Sequence, residues 1–271
     1  VPAERGTSTG EDDYVASVRS LYDRVTGAYV AHCSETLQAG LIDDPTRRDL
    51  PPPTASNLWL AARAGVADGE RLLDLGCGVC GPAADIATAW PTVRIDAITV
   101  SPVQAALAAD RLAAAGLADR VTPHCLDYHA LPFPDASFDL VYFFESSGYT
   151  WDPVRLFREV HRVLRPGGRV YIKDLFARPG PYTADEQADI DGVNRLWAMR
   201  QVPTMPDWQA RLEAAGFAEL SHRRLTEATS DFYWGAMFDD DLTLNPFGEL
   251  FFRDFPLGGL VFYGEVRGRR P

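Results

Sequence analysis

The stretch Arg71–Pro82, RLLDLGCGVCGP, admits few folds. Leu72, Leu73 and Leu75 make a short apolar run broken by one acid, Asp74. Gly76, Gly78 and Gly81 then follow in close succession, and Pro82 opens an alanine-rich segment. The pattern predicts a buried strand, a glycine turn and the start of a helix. Glycine reaches positive φ and lets a ligand approach the backbone without a Cβ in the way. Proline suits the first helical turn, where an N–H would have no partner. The turn is therefore built to hold something.

Gly76, Gly78 and Gly81 also satisfy the GxGxxG spacing of dinucleotide sites, and Asp96 follows where a ribose-binding acid would stand. Two neighbours oppose a nicotinamide dinucleotide. Asp74 sets a carboxylate beside the turn, where a pyrophosphate would be repelled, and Pro82 removes one helix-terminal N–H donor. An acid in this place suits a ligand that carries an ammonium and a sulfonium. S-adenosylmethionine carries both.

Beyond the turn the pattern alternates. A helix over 82–90 leads to a strand at 93–99, then a helix over 102–115 capped by Ser101, strands at 120–126 and 137–144, a helix over 153–164, a turn at Pro166–Gly168 and a strand at 169–176. Such alternation predicts an α/β, Rossmann-like sheet of seven mostly parallel strands covered by helices on both faces, joined by right-handed crossovers. Ligands in such sheets bind at the carboxyl ends of the strands, where Thr99, Asp127, Glu145 and Lys173 all fall. Residues 1–13 read as a flexible tail, and 14–66 as an N-terminal helical segment capping the substrate. Tyr14, Val18, Leu21, Tyr22, Val25 and Tyr29 form the buried stripe of its first helix, for which packing against the core is the favoured reading. Thr54 or Ser56 is expected to cap its second helix, which ends near Ala64. Residues 67–271 form the main domain, with cap insertions near 182–206 and 228–256. A helix over 207–215 starts in the Pro206–Asp207 region. The closing apolar run reads as an antiparallel strand.

The chain has 271 residues, 46% of them hydrophobic, enough for one large domain with a cap. Lysine and arginine number 26 against 38 acids, giving −12, which disfavours nucleic acid and anionic membranes as partners. No run approaches the length of a bilayer span. The expectation is a cytoplasmic protein that acts on a small molecule, with a homo-oligomer left open. Cys77 and Cys80 make a literal CxxC, but a structural zinc site needs a second ligand pair and the sequence offers none, so no metal is expected there.

These residues resemble the class I S-adenosylmethionine-dependent methyltransferases. DLGCGVCGPA is similar to their first motif, ALPFPDASFDLVYFFES to their acidic loop and fourth strand, and REVHRVLRPGG to the turn before the fifth. Within that superfamily the first motif resembles the sterol and prenyl-diphosphate C-methyltransferases, and YDRVTGAY, from Tyr22 to Tyr29, resembles an aromatic substrate motif of the same relatives. The resemblance implies that Asp74, Gly76, Cys77 and Gly78 surround the methionine moiety and that Asp127 and Tyr128 meet the adenine. Thr99 and Gln104 would serve the ribose, as in the cyclopropane-synthase-like branch. Cys80 stands where a glycine is customary, and the upstream histidine of the family is replaced near Gln38.

Methyl transfer from a sulfonium is an in-line displacement, so position is most of what the protein supplies. An acidic O–H or N–H acceptor also wants a general base. An alkene acceptor instead leaves a carbocation, best held by carboxylates and aromatic faces in a dry pocket. Glu145, matched by the resemblance to an ESxxY-like position, is the expected stabiliser, with Tyr149 and Tyr22 beside it. Tyr29, Lys173, Tyr233 and Trp234 are expected to contact the substrate. Lys173 either meets an anionic group or pairs with Asp174. A diphosphate acceptor would need Arg47, Arg48 and Lys173 to converge, or a magnesium ion bridging acids. The expected activity is C-methylation of an alkene carbon in an isoprenoid. The alternatives are O- or N-methylation of a polyketide-like product, and a cofactor-binding cyclase or scaffold that does not methylate.

Overall fold

The computed structural model describes residues 10–32, 34–229 and 259–271. Its helices are α1 (Gly10–His32), α2 (Pro52–Ala64), α3 (Gly81–Ala89), α4 (Pro102–Ala114), α5 (Pro153–Val163), α6 (Ala184–Leu196) and α7 (Met205–Ala214). Its strands are β1 (Leu41–Ile42), β2 (Arg71–Leu75), β3 (Arg94–Thr99), β4 (Val121–Cys125), β5 (Phe138–Phe144), β6 (Leu164–Ala177), β7 (Ala218–Arg224), β8 (Ala228–Thr229) and β9 (Val261–Arg269). Short 3-10 turns stand at Pro45–Arg47 and Ser147–Tyr149. Tyr233 and Trp234, with most of the aromatic insertion, lie outside the described residues. No helix among the described residues is long and apolar enough to cross a membrane.

The main sheet runs β4-β3-β2-β5-β6-β9-β7. The first five strands pair parallel, while β9 is inserted antiparallel between β6 and β7. Every residue of β5 is buried, as a central strand covered on both faces requires. The core splits across the sheet into one layer against α2 and α3 and another against α5 and α7.

Several boundaries differ from expectation for local reasons. Helix α1 runs back to Gly10, into the expected tail, with Glu11, Asp12 and Asp13 in its first turn complementing the helix dipole. Neither Thr54 nor Ser56 caps α2. The helix starts at Pro52, whose ring needs no N–H partner; Thr54 bonds Asp85, and Ser56 accepts from Ile42 N. Thr204, not the Pro206–Asp207 region, caps α7. The Pro166–Gly168 turn belongs to β6. Leu164 already pairs with Phe138, and Gly167 and Gly168 exchange backbone bonds with Arg270. Ser101 caps α4 through Gln104 N, as read from the sequence.

Candidate active site

The glycine turn stands between β2 and α3 at the carboxyl edge of the sheet. Gly76 and Gly78 take φ of 92° and 56°, and Cys80 itself adopts the left-handed conformation at φ 63°. A Cβ at Gly76 would collide with Ser146, whose hydroxyl donates to Leu75 O, so the turn is closed against the end of β5. A Cβ at Gly81 would strike the carbonyl of Glu35. The segment 34–40 therefore lies directly on the turn.

A largely apolar cleft opens above this edge. Gly76 and Gly78, Thr99 and Gln104, and Asp127, Tyr128 and His129 line it. Thr99 donates to Gln104 Oε1 at 2.6 Å, and Gln104 Nε2 donates to Thr26 at 3.1 Å. Asp127 Oδ1 accepts from His129 N at 2.9 Å and meets His129 Nδ1 at 2.6 Å, while Trp151 Nε1 donates to Oδ2 at 3.4 Å. Burial pushes the Asp127 carboxyl up, but these hydrogen bonds outweigh it and hold the group below the usual carboxylate range.

Helix α1 roofs the cleft. Its stripe, expected to pack on the core, does so at Tyr29, whereas Tyr14, Val18 and Tyr22 face the cleft. Arg19 Nε donates to Val100 O at 2.9 Å, and Ser101 donates to Asp23 at 2.5 Å, fixing the roof to the start of α4.

Behind the turn lies a smaller space of about 250 Å³ lined by Asp74, Cys77, Gly78 and Gln38. Tyr142 Oη donates to Asp74 at 3.1 Å. Burial drives the Asp74 carboxyl up to about 7, against the pull of that hydrogen bond. Cys77 and Cys80 are buried thiols, and no cluster of metal-binding side chains occurs among the described residues.

A second cavity of about 460 Å³ adjoins the cleft across Tyr22, Leu37, Glu145 and Tyr149 and ends against Asp174, Trp197, Met199 and Tyr263. Glu145 stands at the boundary with φ 59°, a left-handed turn that swings its side chain back over the sheet edge. Its two oxygens accept Ala39 N at 2.8 Å and Gly40 N at 3.0 Å, and Oε1 also pairs with Lys173.

Lys173 is wholly buried and on neither cavity wall, contrary to its expected substrate contact. Its partners are Glu145, Gln38 Oε1 at 3.1 Å, Gly40 O, and the ring of Tyr263 at 4.9 Å. The Asp174 pairing fails because successive strand residues point to opposite faces. Arg47 and Arg48 pair with Asp44 and Asp43, so the basic cluster imagined for a diphosphate does not assemble. Tyr29 lines neither cavity; it packs with Leu41 behind Leu37 and Trp197, which do.

Of the residues read from the sequence, Gly76, Gly78, Thr99, Gln104, Asp127, Tyr128, Glu145, Tyr22 and Tyr149 meet around the main cleft, and Asp74 and Cys77 face the space behind the turn. Leu37, His129, Ser146 and Asp174 were missed. His129 carries a signal, the two-residue offset from Asp127 that favours a local side-chain turn. Leu37 carries none.

The donor set fits S-adenosylmethionine. Among the described residues the cleft wall includes the acid Asp127, Glu145 being matched by Lys173 behind the wall, and no lysine or arginine, which favours a cationic ligand over a pyrophosphate.

Residues 72–168 match the model of a methyltransferase domain. The chain is 35% identical over 196 residues to 27-O-demethylrifamycin SV methyltransferase of Amycolatopsis mediterranei, covering 72% of this chain and 71% of that one. Among solved structures it is similar to the [4+2]-cyclase SpnF, with TM-score 0.77 and 25% identity over 95% of this chain and 97% of that one. Geranyl diphosphate C-methyltransferase from Streptomyces coelicolor A3(2) shares the fold, with TM-score 0.75 and 17% identity over 97% and 100%.

Proposed function

The chain belongs to the S-adenosylmethionine-dependent methyltransferases, and from that footing we propose that it methylates an alkene carbon of an uncharged, largely apolar small molecule of isoprenoid character. When bound, the cofactor supplies an electrophilic methyl on a sulfonium. The observation that carries the reading is the second cavity, taken as the acceptor site. Aromatic and thioether groups of Trp197, Met199 and Tyr263 wall it, and its two carboxylates already hold several hydrogen bonds each. An O–H acceptor wants a free general base, and the described wall offers no carboxylate or imidazole in that role. An alkene needs none for its first step. Its π pair would take the methyl that the bound sulfonium supplies, the C–S pair leaving with sulfur, and the resulting cation would lose a proton to water or to a tyrosine hydroxyl. Aromatic faces and nearby carboxylates stabilise that cation.

In this reading Tyr22, Tyr149 and Glu145 border the transfer point, Asp74 holds the cofactor's ammonium, and 14–66 closes the site. Magnesium has no part, because no diphosphate is required. A second reading, O-methylation of a polyketide-like product, is favoured by the 35% identity to the rifamycin enzyme. There the Tyr22–Tyr149 hydroxyl pair would carry the proton away.

The deciding experiment supplies cofactor carrying a carbon-13 methyl to a panel of terpenoid alkenes, prenylated aromatics, prenyl diphosphates with and without magnesium, and hydroxylated macrolactones. Carbon NMR of the product then reads the atom bonded to the label. A label on carbon supports the proposal, and a label on oxygen replaces it with the second reading.

A further inference from the structure

Two carboxylates stand on the acceptor wall, and their surroundings differ. Glu145 is matched by the Lys173 ammonium, one charge against one. Among the described residues Asp174 forms no ion pair, and the Lys173 charge reaches it only from beyond contact distance while Lys173 itself pairs with Glu145. Its Oδ2 accepts Ser147 N at 2.8 Å, Ser147 Oγ at 2.6 Å and Gly148 N at 3.1 Å, and its Oδ1 accepts Leu175 N at 2.8 Å. These are dipoles, which hold a negative charge in place without cancelling it. Trp208 Nε1 donates to Ser147 Oγ at 2.9 Å and fixes the hydroxyl in its donating direction. No lysine or arginine lies on this wall among the described residues.

We infer that Asp174, rather than Glu145, carries the net negative charge of the acceptor cavity, and that it selects an acceptor uncharged at rest and cationic after methyl transfer while rejecting anionic ones. This rests on the reading of the second cavity as the acceptor site. Methyl transfer moves one positive charge from sulfur to a neutral acceptor, toward this end of the site. A buried, uncompensated carboxylate there gains attraction as that charge arrives, and it repels a phosphate or carboxylate throughout. Burial, with the Glu145 charge adding to it, pushes Asp174 up to about 6 against the hydrogen bonds from Ser147, Leu175 and Gly148, so its ionised form predominates at neutral pH.

The test is calorimetric binding of two isosteric probes, benzyltrimethylammonium and neopentylbenzene, with benzylphosphonate as the anion, all with S-adenosylhomocysteine present. The wild type should bind the cation about tenfold more tightly than its neutral isostere and reject the anion. Asp174→Asn should bring cation and isostere within about twofold, whereas the double variant Glu145→Gln with Lys173→Met should keep the preference, its net charge being unchanged. Equal binding by the wild type, or an undiminished preference in Asp174→Asn, overturns the proposal.

Should Asp174→Asn lose cofactor binding through misfolding, the wild type decides by pH. Of the groups facing Asp174, the Tyr22, Tyr128, Tyr149 and Tyr263 phenols are all raised by burial and stay neutral, and Glu145 is ion-paired with Lys173. The cation preference should therefore hold at pH 8 and fade with a midpoint near 6 as pH falls. A preference flat with pH overturns it. These arms need no turnover, so a protein that binds the cation as expected yet methylates oxygen would sink the alkene reading alone.

Discussion

The hydroxyls of Tyr22 and Tyr149 lie 2.5 Å apart, with their rings edge to face at a centroid distance of 5.6 Å. Tyr22 comes from α1 and Tyr149 from the 3-10 turn after β5, and both border the cofactor cleft and the acceptor cavity. The contact ties the roof of the site to its floor. One hydroxyl donates to the other, which leaves a single phenolic proton directed elsewhere.

Removing one hydroxyl leaves the other without its partner in a half-buried place. Tyr22→Phe should lower stability by about 1–3 kcal/mol in urea unfolding. It should also cut kcat at least about tenfold by loosening the in-line geometry, with S-adenosylhomocysteine affinity unchanged by calorimetry. A variant with full turnover would show that the pair does not position the transfer.

Gly81→Ala tests the close approach of segment 34–40. The added Cβ would meet backbone, the Glu35 carbonyl, which cannot rotate away, so the segment must lift from the turn. The expected result is a loss of about 1–3 kcal/mol and cofactor binding weakened at least about tenfold. Gly78→Ala should be milder in its contact, since its Cβ would stand 3.1 Å from the movable end of Leu37, and Cys80 shows that this turn accepts a side chain at positive φ. Equal effects of the two substitutions would contradict the argument.

Lys173→Met leaves Glu145 without its cation and Gln38 without its donor. A broken buried pair costs about 3–5 kcal/mol, while replacing both partners costs far less. The double variant with Glu145→Gln should therefore recover part of the lost stability, and a double-mutant cycle in urea reads the coupling directly. Additive losses would mean that the two side chains do not depend on each other.

Asp74 should make cofactor binding depend on pH. Its folded value, about 7, lies above the ordinary carboxylate value, so its protonated form favours the folded apo protein. That contribution is complete below the ordinary carboxylate range and is lost as pH rises through about 7. A bound ammonium reverses the preference, because it attracts the ionised form. Affinity for S-adenosylhomocysteine should rise between pH 6 and pH 8 by roughly tenfold, and Asp74→Asn should bind weakly without that slope. An unchanged slope in Asp74→Asn would place the titration elsewhere.

Much of the architecture was legible in local chemistry. Strand, glycine turn and helix from Arg71 to Pro82 followed from conformational freedom at glycine and from proline at a helix start. The parallel order followed from strands alternating with helices. Ser101 as a cap followed from a side chain that bonds a backbone three residues on. Gly76, Thr99, Asp127 and Glu145 could be placed around one cleft because each falls at a strand end and strand ends share one edge of the sheet, whereas Gln104, in the first turn of α4, was read only from the family resemblance.

What the chain alone left open is what depends on contacts between distant residues. Lys173 and Asp174 are neighbours in sequence but face opposite sides of β6, and only the fold brings Lys173 to Glu145 and Asp174 to Ser147. The α1 stripe has the same spacing whether it meets a core or a cleft, and three-dimensional neighbours send Tyr14, Val18 and Tyr22 to the cleft. Segment 34–40 has no periodicity at all, yet hydrogen bonds from Ala39 and Gly40 to Glu145 make it the wall shared by both cavities. Sequence determines the elements because backbone preference is local. Tertiary structure decides which charges are paired, because pairing depends on distances in space that no linear spacing encodes.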